Sequence, residues 1–306
     1  MTQSTELGGL HRIATAENTF AIIAMDQRNT LKRMYAAVNA PAPSDEELEN
    51  SKADVVQGLR GVASGFLLDP TFGTPALKQL PTEGLPYGVL VAAEPSERNT
   101  FNGEPHAHRD PALNAQWTRD QGGDAVKFFV QMRVDRKVGA GEPDLTADAL
   151  QVVREVIADC KAAGVPSVIE NLIYTIPGEE PATEAQKADR IIGAAEALAE
   201  LGPDLLKLEY PGSPAACRRL ANSIDVPWAV LSAGVAFDEF TEVLKVSCDD
   251  GGVSGFIAGR AIWRETVGMT RPDRQAYVAS EGRRRLENCV QAIAGRARPF
   301  TDFTRV

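Results

Sequence analysis

The chain has 306 residues, 43% of them hydrophobic and 24% charged; that composition excludes disorder and allows a sizeable core. The length suits one large α/β barrel or two medium domains. A formal net charge of -10 argues against nucleic-acid backbones, which need a basic surface, but leaves room for a small anion held by a local cluster of Arg and Lys.

Short apolar runs alternate with amphipathic stretches along the chain. "FAIIAMD" (20–26) predicts a strand ending in Asp26, Gln27 and Arg28. "DEELENSKADVVQGLRGVAS" predicts a helix with Ser44 as N-cap and Glu47 three residues on. "GFLLD" (65–69) predicts a second strand ending in Asp69, which precedes Pro70 and could simply open a turn. "YGVLVAA" (87–93) is the third strand, and the polar "EPSERNTFNGEPHAHRDPALNAQW" after it predicts a loop over one face before a helix. "AVKFFVQ" (125–131) carries Lys127, and "TADALQVVREVIADCKAAG" predicts a helix closed by Gly164. "SVIENLI" (167–173) carries Glu170 and Asn171; "TEAQKADRIIGAAEALAELG" predicts a helix closed by Gly202. "LLKLEY" (205–210) carries Lys207 and Glu209, and "WAVLSAG" (228–234) ends in Ser232 to Gly234. The helix "FDEFTEVLKVSCDDGG", the strand "GFIAGRA" (255–261) with Gly259 and Arg260, and the helix "RPDRQAYVASEGRRRLENCVQAIAG" complete the series.

Uninterrupted apolar runs predict strands covered on both faces, as in parallel sheets. Eight β-then-α units in about 300 residues, with no dividing linker, predict a single (β/α)8 TIM barrel over 1–306. The rival, a doubly wound open sheet, usually carries a Gly-rich phosphate loop after its first strand; "DQRNTLKRM" has no glycine. Cys160, Cys217, Cys248 and Cys289 are far apart with no CxxC, so reduced thiols and a cytoplasmic setting are expected. "MTQSTELGGLHRIATAENTF" shows no signal-peptide pattern. The longest apolar runs fall far short of the roughly 20 residues of a membrane span.

In such barrels the active site lies at the C-terminal ends of the strands, and there the polar groups of this chain converge. A Lys is almost never fully buried unless paired, and a structural ion pair is often no better than a hydrophobic one. Lys127 and Lys207 inside apolar strands therefore predict amine chemistry. A Lys in an apolar pocket near a second cation loses affinity for its proton and can attack a ketone to form a Schiff base. The protonated imine withdraws electrons, so the adjacent C–C bond can break, with Glu170 as proton carrier. Glu209, two residues past Lys207 on the same side of the strand, is expected to neutralise that lysine and not to catalyse. The "SAG" and "GR" turns suit a phosphate, with Arg260 as a charged donor.

No metal site or cofactor is expected. The histidines are His11, His106 and His108, "HAH" falls in the polar loop, and HExxH, CxxC and EF-hand patterns are missing. The residues alone thus reach a metal-free aldolase acting on a phosphorylated ketose. Two rivals are a glycosidase using Glu170 and Glu209, which leaves the lysines unexplained, and a barrel that senses sugar phosphate without turnover.

"MDQRNTLKRM", "LLDPTFGTPAL", "DAVKFFV", "LLKLEYP", "VLSAGV" and "GFIAGRAIW", in this order, resemble the class I tagatose 1,6-bisphosphate aldolases. They also resemble a related group, the bacterial sulfofructosephosphate aldolases of sulfoquinovose breakdown. The resemblance runs from about Ala21 to Trp263 and into the C-terminal helix. It implies Lys207 as the Schiff-base lysine, Lys127 as a second lysine that helps keep Lys207 unprotonated, and Glu170 as the proton shuttle. It also implies Asp26, with Gln27 and Arg28 after it, as substrate contacts, and Ser232, Gly234, Gly259 and Arg260 as the holders of the phosphate of the dihydroxyacetone phosphate half. The implied reaction splits tagatose 1,6-bisphosphate or a related ketose 1-phosphate into dihydroxyacetone phosphate and a three-carbon aldehyde, which is sulfolactaldehyde in the second group.

The two groups differ in the far end of the substrate, a second phosphate or a sulfonate, and the signals are mixed. "LLDPTFGTPA" is more similar to the first; "NAPAP", "VPWAVLSAGV" and the compact length to the second. "NLIYTIPGEE" and "VQMRVDRK" depart from both. Arg28, Lys32 and Arg133 are the candidates for the far anion. A phosphorylated sugar is the expected partner, with no nucleic acid and no membrane; a homo-oligomer is left open.

Overall fold

The computed structural model describes residues 9–80 and 87–303. In chain order the strands are β1 (Phe20–Met25), β2 (Gly65–Leu68), β3 (Gly88–Ala92), β4 (Asn99–Phe101), β5 (Glu104–His106), β6 (Ala125–Val130), β7 (Ser167–Asn171), β8 (Leu205–Leu208), β9 (Trp228–Val230) and β10 (Gly255–Ala258). Eight of them close a parallel barrel in the order β1-β10-β9-β8-β7-β6-β3-β2. Every predicted strand is present, and β1 pairs with β10 to remove the edges.

The barrel interior follows from the period of two along a strand. Ile22, Leu67, Leu90, Val168, Leu205 and Ile257 point inward and pack together with Leu10, Ile13 and Phe300, which come from outside the sheet. Burying each large side chain contributes about 1.5–3 kcal/mol. The 3-10 turn Leu10–Ile13 lies against the strand starts. A Cβ on Gly88 would stand 2.2 Å from the Arg12 carbonyl oxygen, so that strand must open with glycine. This end is a plugged floor; the opposite end is the mouth.

Helices cover the outside. Ser44 Oγ accepts from Glu47 N at 3.1 Å, which starts the helix Asp45–Leu59. Thr183 and Gln186 form a capping box at the start of Glu184–Ala199. Gly164 and Gly252 close Leu145–Ala163 and Phe237–Gly251 in the left-handed conformation. Helices Asn29–Ala37 and Pro214–Ser223 were not among the predicted segments. The last predicted helix is divided into Arg271–Tyr277 and Arg283–Ile293 by a π turn.

The polar connection after β3 differs from the predicted loop. It holds the antiparallel pair β4 and β5. Asn102 and Gly103 at its turn have φ of 50° and 82°, the Asn-Gly combination that matches strand twist in a two-residue hairpin. The signal stood in the sequence as "FNGE". All four cysteines are buried and unpaired, and burial pushes their thiols up to about 12. Among the described residues no helix is long and apolar enough to cross a membrane.

Candidate active site

The inward parity that builds the floor also builds the mouth. Asp26 continues the series of Ile22 and Ala24, and Glu94 that of Leu90 and Ala92. Lys127, Glu170 and Lys207 stand one inward step beyond Ala125, Val168 and Leu205. Lys127 is at the centre. Its Nζ lies 2.9 Å from Asp26 Oδ2, 2.9 Å from Glu94 Oε1 and 2.8 Å from Glu170 Oε2. The other oxygen of Glu170 is 2.9 Å from Lys207 Nζ. One carboxylate therefore bridges the two lysines.

The electrostatics divide the cluster. Burial alone would strip Lys127 of its proton, but Asp26, Glu170 and Glu94 together hold its ammonium above the ordinary lysine value. Burial pushes the Asp26 and Glu170 carboxyls up, yet Lys127 and Lys207 outweigh it and leave both below the usual carboxylate range. At Glu94 burial wins: despite Lys127, its carboxyl is raised, with Asp26 adding to the rise. Lys127 is thus a fixed cation that organises three carboxylates. It faces Lys207 through Glu170 and not as a bare charge.

The loop after β1 is held from behind. Lys52, fully buried on the helix Asp45–Leu59, donates to the backbone carbonyls of Met25 and Gln27 and pairs with Asp69 Oδ1 at 2.6 Å. Asp69 Oδ2 accepts from Thr71 N and Phe72 N, so this residue both opens the turn after β2 and neutralises Lys52. Lys52 grips the two carbonyls that flank Asp26. Gln27 Nε2 donates to Asp26 Oδ1 at 3.1 Å, and its buried Oε1 finds no partner among the described residues. Arg28 Nη2 donates to the Glu94 carbonyl oxygen at 3.1 Å.

On the other side of Lys207, Ser232 to Val235 form a tight turn closed by Val235 N donating to Ser232 O at 3.0 Å. Ala233 and Gly234 have φ of 48° and 82°. A Cβ on Gly234 would stand 3.2 Å from the Arg260 guanidinium carbon, so the turn and Arg260 are in close approach. On Gly259 a Cβ would meet the Ala24 carbonyl oxygen at 2.2 Å. Ser232, Gly234, Gly259 and Arg260 are therefore brought together as a patch beside β9 and β10.

Four expectations change. Glu209 does not neutralise Lys207; its Oε2 accepts from Ile173 N at 2.8 Å and ties down the segment after β7. Arg133 cannot serve the far anion, because all of its donors are used: Nε and Nη2 on Asp135, Nη1 and Nη2 on Glu179, and Nη1 on the Tyr174 carbonyl. Lys32 is exposed, 3.7 Å from Asp45 and over the Phe72 ring. The "HAH" segment is not free loop either: His106 ends β5 and pairs with Asp148 at 2.9 Å.

Sequence reading missed Glu94 and Lys52, and each carried a signal. Glu94 is in phase with Leu90 and Ala92, one residue past the predicted end of its strand. Lys52 sits on the helix stripe of Leu48, Val55, Val56 and Leu59, where an apolar residue belongs. Chemically, the site offers an amine, a carboxylate on that amine able to take and return its proton, a fixed cation, and hydrogen-bonding groups at Asp26 and Gln27.

Residues 20–265 match the DeoC/LacD family of aldolases. Tagatose 1,6-diphosphate aldolase 2 of Enterococcus faecalis is 27% identical over 324 residues, covering 94% of this chain and 93% of that one. Tagatose 1,6-diphosphate aldolase 2 of Streptococcus pyogenes serotype M1 is 25% identical over 317 residues, covering 94% of each. A solved Schiff-base-forming fructose-1,6-bisphosphate aldolase superposes with a TM-score of 0.61 at 14% identity, covering 90% of this chain and 97% of that one. At that identity the likeness speaks for the shared barrel.

Proposed function

The chain belongs to the DeoC/LacD aldolase family, and on that premise we propose that it is a Schiff-base aldolase that reversibly splits a ketose 1-phosphate, with tagatose 1,6-bisphosphate as the leading substrate. The products are dihydroxyacetone phosphate and a three-carbon aldehyde. The observation that carries the proposal is Glu170 bridging Lys207 and Lys127 at 2.9 and 2.8 Å.

Lys207 gives a proton to Glu170, and its neutral amine attacks the ketone carbon C2. Glu170 returns the proton to the carbinolamine oxygen, and water leaves to give an iminium. A base takes the proton of the C4 hydroxyl, the C3–C4 electron pair moves toward the iminium, and the aldehyde departs from an enamine. Protonation of the enamine at C3 and hydrolysis release dihydroxyacetone phosphate and the free lysine. Glu170 lies nearest to carry these protons. Lys127 holds Glu170 and Asp26 in place, Asp26 and Gln27 receive the substrate hydroxyls, and the Ser232–Gly234 turn with Gly259 and Arg260 receives the C1 phosphate.

The names of the two relatives support a tagatose bisphosphate; the sequence segments that resemble the sulfofructosephosphate aldolases support sulfofructose 1-phosphate as the second candidate. Borohydride added during turnover should trap a covalent adduct on Lys207, and Lys207→Ala should be unlabelled and inactive. Full activity in Lys207→Ala would overturn the proposal, and tight sugar-phosphate binding without turnover would favour a sensor. Turnover of tagatose 1,6-bisphosphate, fructose 1,6-bisphosphate and sulfofructose 1-phosphate side by side ranks the substrates.

A further inference from the structure

A pocket, partly open to solvent, lies beside the mouth between β3, the β4–β5 hairpin and β6. Glu94, Arg98, His106, His108, Phe129 and Gln131 are among its lining residues. None of the substrate contacts predicted from sequence lies in it.

Its place in the strand order gives it meaning. Around the barrel, β10, β9, β8, β7, β6 and β3 are consecutive neighbours. Lys207 is on β8, the Ser232 and Gly259 turns follow β9 and β10, and Glu170, Lys127 and Glu94 lie on the opposite side of Lys207. A ketose phosphate with its C1 phosphate at the turns and its C2 on Lys207 points its remaining carbons toward β6 and β3, where the pocket opens.

The pocket holds the cation such a substrate needs. Within the mouth Asp26, Glu94 and Glu170 are matched by Lys127, Lys207 and Arg28, so little positive charge is left for an anion. Arg98 is different. Its guanidinium lies 4.2 Å from the Phe129 ring centroid and hydrogen-bonds the neutral side chain of Gln131. No carboxylate among the described residues lies within ion-pair distance of it, in contrast to Arg133, Arg136 and Arg190. The Phe129 ring is also 5.2 Å from Lys127 Nζ, so one aromatic wall joins the pocket to the catalytic cluster. His108 is half-buried and has no side-chain partner among the described residues, while His106 is occupied by Asp148. On the mouth side Glu94 Oε2 is buried without a partner.

The hairpin wall is braced. Glu104 on β5 takes Arg136 Nε at 2.9 Å and Nη2 at 3.0 Å, and the Tyr174 hydroxyl donates to it at 2.9 Å. Arg136 and Tyr174 come from "VQMRVDRK" and "NLIYTIPGEE", the segments that follow β6 and β7. These segments support the hairpin that carries Arg98.

We infer that this pocket is the subsite for the far end of the substrate, that it takes a terminal oxyanion, phosphate or sulfonate, and that Arg98 is its charged donor with His108 as a second donor. The inference rests on the aldolase reading above and adds the residues that read the far group. Arg28 remains at its edge through Glu94; Arg133 and Lys32 do not contribute.

The test runs the reaction in the condensing direction, with dihydroxyacetone phosphate and three acceptors: D-glyceraldehyde 3-phosphate, 3-sulfolactaldehyde and uncharged D-glyceraldehyde. Losing one charge-assisted hydrogen-bonding group should lower kcat/KM of Arg98→Met for the preferred charged acceptor by about tenfold to a hundredfold, mostly through KM. The loss on D-glyceraldehyde should be at least about tenfold smaller. His108→Ala should show a smaller effect in the same direction, and the acceptor the wild type prefers identifies the oxyanion. Equal losses on charged and uncharged acceptors, or no loss on either, overturn the subsite while leaving the aldolase reading intact. Failure of the wild-type protein to condense any acceptor overturns both.

Discussion

At the floor of the barrel, Leu67, Leu90, Val168, Leu205 and Ile257 pack against Leu10 and Phe300. One or two inward positions further along the barrel strands, Asp26, Glu94, Lys127, Glu170 and Lys207 line the other end. Both ends obey one periodicity. The floor gains free energy by removing apolar area from water; the mouth takes five charged groups out of water and recovers the cost only through mutual pairing. The difference teaches why lysines persist inside leucine strands. The apolar end holds the barrel rigid enough for the charged end to be fixed, and the fixed charges are the groups proposed to react.

Substitution of Glu170 should separate the two ends most sharply. Glu170→Gln keeps the shape but removes the proposed proton carrier, and should lower kcat per folded molecule by about a hundredfold to ten-thousandfold, beyond what the lost pairs with Lys127 and Lys207 cost in stability. A loss under about tenfold would mean that Glu170 is not the proton carrier.

Lys127→Met should come next, this time in stability. It leaves Asp26 without its ion-pair partner and Glu94 with only Arg28 at 3.7 Å, at a cost of about 3–5 kcal/mol at pH 7, read as a shift in the urea midpoint. The pH dependence has a definite sign. In the wild type Asp26 and Glu170 are held low, so their contribution is full above about pH 4 and is lost as pH falls through their folded values. Glu94, held high, works in the opposite sense. Without Lys127 the carboxyl values rise, so acidification from pH 7 to 5 protonates buried groups and narrows the stability gap to wild type. A gap that widens on acidification would contradict this electrostatic picture.

Lys52→Met should cost about 3 kcal/mol by stranding Asp69. It should also lower activity beyond what the lost stability explains, because the carbonyls on either side of Asp26 are released. Activity per folded molecule equal to wild type would show that the brace has no catalytic consequence. The smallest effect belongs to the floor: Ile22→Val should destabilise by about 1 kcal/mol and leave kcat and KM unchanged. A change in KM there would show that floor and mouth are not separable.

Much of this was legible before any coordinates. The eight strands were visible as short apolar runs, and Lys127, Glu170 and Lys207 stood out because charge inside such a run has a physical cost. Asp26 was found at a strand end. Glu94 escaped because it sits one residue beyond a run, where periodicity fades into the loop. Lys52 escaped because a charge within a helix reads as a surface residue until the burial of that face is known. Arg98 looked like any arginine in a polar loop, and the Asn102–Gly103 turn, though visible, was read as part of that loop.

The sequence by itself determined the barrel, the inward parity of its strands and the residue types at its mouth, since these depend on local alternation and on the cost of buried charge. Only the tertiary structure decided the pairings. Asp26 and Lys127 are 101 residues apart, and it is the closing of β1 onto β2 and β10 that brings the first strand end around to the sixth. Coulomb energy depends on distance and burial in space, which a linear pattern does not hold. For that reason the partners of Lys127, the saturation of Arg133 and the guanidinium of Arg98, with no carboxylate partner among the described residues, emerged only from the folded chain.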